Sequence, residues 1–167
     1  MKKIVFTLVL FVFLAGCAVQ KQQKAMWKSP YNIEVECLGV GQDGTKLVKV
    51  WAEAKEPRLA INKAEKNAIS AALFKGIPPG NGAAETPAVF SDPDAYEKHK
   101  AFFDEFFQTG GKYLQFVNVT NDGMPGGKDR IKMEKGYKVA VKASIAYNRL
   151  REYMEDKGLV KRLDSGF

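Results

Sequence analysis

Side chains able to do chemistry are sparse in this 167-residue chain, which has one histidine, His99, and two cysteines, Cys17 and Cys37. A hydrolase triad needs a nucleophile, a base and an orienting acid held at set distances. One His, with no Ser or Cys motif around it, gives that chemistry almost no support. His99 stands beside Tyr96 and Phe103 at helical spacing, with Asp104 and Glu105 as the nearest carboxylates on the same stretch. It reads as a boundary side chain on a helix flank. Cys37 falls on the apolar side of an alternating segment and reads as a buried, inert thiol.

Three glycine- or oxygen-rich segments could hold a ligand, and each fails on its surroundings. Gly39, Gly41 and Gly44 match G-x-G-x-x-G. The dinucleotide motif needs a helix immediately afterwards, because the helix N-terminus holds the pyrophosphate. Here Lys46 to Trp51 follows, alternating and β-branched, so the glycines are better explained as a hairpin loop. Gly126-Gly127-Lys128 hints at a phosphate loop, but Asp122 replaces the leading Gly and Asp129 the trailing Ser or Thr. Asn121, Asp122 and Asp129 could offer oxygens to calcium. The EF-hand order is absent, and turns favour Asn and Asp in any case. No metal and no cofactor is expected.

Cys17 has a more specific setting. Lys2 and Lys3 precede an apolar run from Ile4 to Leu14 broken only by Thr7, and Leu14-Ala15-Gly16-Cys17 closes it. The run is too short for a membrane span, which needs about 20 residues. The segment resembles the signal and lipobox of bacterial lipoproteins. That resemblance implies removal of residues 1–16, a diacylglyceryl group on the Cys17 thiol and a fatty acyl chain such as palmitate on its new amine. Several chains hold a protein at a membrane stably where one does so only marginally. Ala18 follows Cys17 and no Asp lies nearby, which by the same resemblance implies the outer membrane. Ala18 to Lys24 has no acidic residue, unlike surface-export signals of some gut anaerobes, so a periplasm-facing anchor is expected.

Bulk properties bound the rest. The net charge is +7. With Lys2 and Lys3 removed, 24 basic residues face 19 acidic ones, leaving +5. The basic residues are scattered among apolar ones and form no block. A solvated surface follows, and no nucleic-acid partner is expected of an exported protein. With Cys17 lipidated, Cys37 is alone and no internal disulfide can form.

The elements that must position any site read as follows. Residues 17–29 are a polar tether, and a single domain occupies 30–167. Ile33 to Leu38 and Thr45 to Ala54 alternate as half-buried strands, joined by the Asp43-Gly44 turn signal. Leu59 to Lys75 is a helix with Pro57 before it and Gly76 as its stop. Its Ala64, Ala68 and Ala71 stripe allows close approach to a sheet. Pro78 to Pro87 is a long loop. A second helix runs from N-cap Asp92 to Gln108. Tyr113 to Thr120 is a third strand, and Ile131 to Tyr147 a long fourth one with Gly136 as a bulge. A last helix spans Asn148 to Asp156, ahead of a tail. The order β-β-α-α-β-β-α predicts an α+β fold: an antiparallel sheet of about four strands with helices on one face.

Strand, Gly-x-Gly, strand and an Ala-rich helix (Ala64, Ala68, Ile69, Ala71, Ala72) together resemble the twenty-kilodalton lipoprotein family. They also resemble the N-terminal domain of flagellar assembly protein T and uncharacterised lipoproteins of gut anaerobes. The resemblance covers Ile33 to Gly76 and, more loosely, Lys135 to Leu159. It implies envelope or assembly roles and carries over no catalytic residue. The Phe-rich helix and the Pro78–Pro87 loop depart from it. Phe102, Phe103, Phe106 and Phe107 fall within six residues, so that helix is apolar on more than one side. Either it is sandwiched between the sheet and another helix, or it offers an aromatic patch to a partner. The expected role is a non-enzymatic envelope lipoprotein that binds another envelope protein. The alternative is a carrier of a small apolar ligand in a pocket between the Phe-rich helix and the sheet.

Overall fold

The computed structural model describes residues 32–121 and 123–162. Cys17, the tether and the end of the tail lie outside them. Strand β1 (Val35–Val40) and strand β2 (Lys46–Ala54) form the expected hairpin. Its loop is fastened by Gly41 N–H donating to the Thr45 carbonyl at 2.8 Å. Asp43 Oδ1 accepts from the Thr45 amide and hydroxyl. Helix α1 (Pro57–Ser70) has Pro at its start, where no N–H is needed. Helices α2 (Ala95–Lys98), α3 (Lys100–Phe106) and α4 (Tyr147–Asp156) complete the helical layer.

The sheet is antiparallel with five strands. Strand β3 (Val117–Val119) and strand β4 (Arg130–Met133) pair with opposite ends of the same side of β5 (Gly136–Ile145), and β2 pairs along its other side. The register places Cys37 opposite Val48, and Val48 opposite Ala143, so the apolar residues of three strands share one face. Helix α1 lies on that face. Its Ala60, Ala64 and Ala68 are fully buried, and the first two pack with Ala52, Val139 and Val141. Small side chains are what let the helix axis come down on the strands.

Four expected elements differ in detail. The long fourth strand is a hairpin: β4 turns through Glu134 and Lys135 into β5, with Met133 opposite Gly136. Both arms alternate, so the period-2 pattern runs through the turn and hides it. Gly136 sits at φ +130°, against the Ala54 carbonyl, where no Cβ fits. It ends the turn and is not a bulge. The third strand begins as a 3-10 turn (Lys112–Phe116), which buries Tyr113 and Phe116 three residues apart. The second helix breaks at His99 (φ −115°, ψ 30°), and Asp92 caps a turn ahead of it through the Asp94 amide. The last turns of the first helix widen into a π-helix (Ala71–Lys75). The Ala72 and Leu73 carbonyls there accept from the amides of Val89 and Phe90, which draws the long loop onto the core.

Candidate functional site

The buried aromatic residues belong to the larger of the two hydrophobic clusters among the described residues. Phe103 is fully buried between Phe74 (4.9 Å, edge-on), Phe90 (5.6 Å, edge-on) and Tyr96 (5.6 Å, stacked). Phe106 and Phe107 are also buried, and meet edge-on at 4.9 Å. Of the four phenylalanines read as a patch, these three are therefore interior. Phe102 alone is half-exposed. The break at His99 does not disperse the cluster, because Tyr96 on α2 still stacks on Phe103 of α3.

Phe102 opens onto a hollow of about 170 Å³ bounded by Phe106, Tyr153, Glu105, Gln108, Lys112 and Lys157. Tyr153 on α4 faces Phe106 of α3 and Phe116 of the 3-10 turn at 6.0 and 5.3 Å. Lys157 Nζ stands 5.5 Å above the Tyr153 ring. The floor is thus aromatic and the rim charged. Such a place can seat one apolar or aromatic side chain and offer hydrogen bonds around it. No sequence motif marks Tyr153, Lys112 or Lys157. Tyr153 and Lys157 share a helix face at i, i+4, but nothing local links them to Lys112 or to the phenylalanines.

The remaining candidates are committed elsewhere. Cys37 is buried, its Sγ directed at the Gly39 carbonyl. His99 is half-buried with its ring 6.5 Å from Phe90. Gly127–Asp129 is a 3-10 turn. Asn121 Oδ1 accepts from the Lys142 amide at 2.6 Å, and Asp129 Oδ1 meets Lys49 Nζ at 2.6 Å. Lys49 holds the Asp129 carboxyl below the usual carboxylate range. Asp122 lies outside the described residues. Among those described, no group of three His, Cys, Asp or Glu could hold a metal ion.

Two further sets of charges are notable. On the sheet face away from α1, Trp51 lies under Lys49 and Lys138, each 5.2 Å from its ring centre. Lys138 also pairs with Glu34 at 2.6 Å. Where α1 meets the 3-10 turn, burial raises Glu65 and lowers Lys66. Lys66 Nζ stands 5.6 Å over the Tyr113 ring. Burial, with the Glu65 charge second, pushes Tyr113 up to about 12.

The model of the prokaryotic membrane lipoprotein lipid attachment site matches residues 1–18. The N-terminus carries the attachment site of a lipid-anchored membrane lipoprotein. The match ends one residue beyond Cys17, so it includes the whole Leu14-Ala15-Gly16-Cys17 segment. No curated protein matches the chain, and no solved structure does. These comparisons lend no support to the resemblance of Ile33–Gly76 to the twenty-kilodalton lipoprotein and flagellar assembly protein T families. Among the described residues no helix is long and apolar enough to cross a membrane.

Proposed function

We propose that this chain matures into a periplasm-facing outer-membrane lipoprotein, lipidated at Cys17, whose domain binds another envelope protein and catalyses no reaction. The attachment site at residues 1–18 carries the membrane part of this reading. The hollow at Phe102 supports the binding part, because it leaves one edge of the aromatic cluster open beside a charged rim. Aromatic anchors ringed by polar groups are favoured centres of protein contacts. The carrier alternative needs a ligand-sized apolar space between α3 and the sheet. On the buried side of α3, Phe74, Phe90, Tyr96 and Phe103 pack ring against ring, with neighbouring centroids 4.9 to 5.9 Å apart.

Crosslinking in native membranes, followed by capture of the chain, tests the reading. A specific envelope protein is expected with wild type and lost with Phe102→Ser, a change at the half-exposed position of the cluster. A monodisperse chain that crosslinks to nothing contradicts it.

A further inference from the structure

The two edges of the sheet are treated differently. At Cys37 the outer edge of β1 is covered by the loop that follows the π-helix. Asn81 Nδ2 donates to the Cys37 carbonyl at 2.9 Å. Gly80 approaches so closely that a Cβ there would stand 2.9 Å from the same oxygen. Strand β4 forms part of the opposite edge and pairs only with β5. All four of its residues are exposed, and its main neighbours are β5 and the Gly127–Asp129 turn. In an antiparallel pair alternate residues turn N–H and C=O away from the partner. So β4 presents unpaired backbone groups outward, as an edge strand does.

Its side chains specify what could pair there. Arg130 and Lys132 stand on one face of β4, Ile131 and Met133 on the other. Ile131 and Met133 are 48 % and 40 % exposed, large values for such side chains. Lys128 and Lys135 lie two positions beyond the ends of the strand, and Glu134 directly follows Met133. Asp129, the carboxylate nearest its start, is already taken by Lys49. A second copy of β4 would bring like charges together across the strands, which is destabilising. An acidic strand would meet Arg130 and Lys132 favourably while covering Ile131 and Met133.

We propose that the free edge of β4 accepts an extended acidic segment of a partner protein as a sixth strand. Its acidic residues lie opposite Arg130 and Lys132, and its apolar residues opposite Ile131 and Met133. Main-chain hydrogen bonds give the affinity and the alternation gives the selectivity. The inference rests on the reading that the domain binds a protein, and adds the chemistry of that partner and a place of contact remote in sequence from the hollow.

The test uses the full mature chain in neutral detergent with three capped peptides: one alternating Glu and Val, a scramble of it, and a version with Lys for Glu. The alternating acidic peptide is expected to bind more weakly as salt rises, and to slow amide exchange in β4. The double variant Arg130→Glu, Lys132→Glu is expected to weaken it roughly tenfold, as inverted cross-strand charge pairs should, and to prefer the Lys peptide. Equal binding of the scramble, no binding at all, or binding without protection of β4 overturns the proposal. So does protection of β4 by phosphatidylglycerol vesicles in place of the peptide. If the peptides fail while a partner still crosslinks in membranes, the edge proposal falls and the protein-binding reading stands.

Discussion

Phe106 and Tyr153 stack with ring centroids 6.0 Å apart and planes inclined by 25°. One ring belongs to α3 and the other to α4, so the stack joins two elements almost fifty residues apart in sequence. Phe106 is buried and Tyr153 half-buried. The aromatic core therefore continues to the surface at this point, and the hollow is its outer limit.

Deeper in the same cluster, Phe103 is fully buried and touches rings from the π-helical turn, from Phe90 just beyond the long loop, and from α2. Phe103→Ala should lower unfolding stability by about 3–5 kcal/mol, the usual cost of emptying a buried aromatic site. Denaturant titration measures it. Phe102→Ala, at the half-exposed position, should cost well under that.

Gly136→Ala tests the β4–β5 turn. The residue sits at φ +130°, and the added methyl would press on the Ala54 carbonyl. Strain at such a position is worth about 1–3 kcal/mol, and here a backbone clash adds to it. Loss of stability by at least that amount is expected in thermal denaturation, with earlier amide exchange in β4.

Tyr113 sets an alkaline limb. Burial first, and the Glu65 charge second, push its hydroxyl from the ordinary 10.0 to about 12. Between those values the unfolded chain has released a proton that the folded chain keeps. The contribution is therefore fully present below pH 10 and falls as pH rises toward 12, by up to about 1.4 kcal/mol per pH unit. Denaturation of wild type and Tyr113→Phe across this window should show a steeper decline for wild type.

The parts legible in the sequence are those with a local physical cause. Asp43-Gly44 marks a turn because of its own backbone and side-chain preferences, and the β1–β2 hairpin follows. The alanine spacing of α1 is a helical face that must meet something flat. The β4–β5 turn was hidden because Glu134 and Lys135 carry no turn signature and the alternation continues across them. Tyr113 and Phe116 read as strand residues until their three-residue spacing meets the core. The hollow was out of reach, since Phe102, Lys112 and Tyr153 come together only through packing of α3, the 3-10 turn and α4.

Fractionation of cells making wild type or Cys17→Ala, with mass spectrometry of the N-terminus, tests lipid anchoring most directly. Wild type is expected in the membrane fraction, beginning at an acylated Cys17, and the variant in the soluble fraction. A wild-type chain that begins at Met1 without fatty acid, or a variant that stays with the membrane, would contradict the anchor.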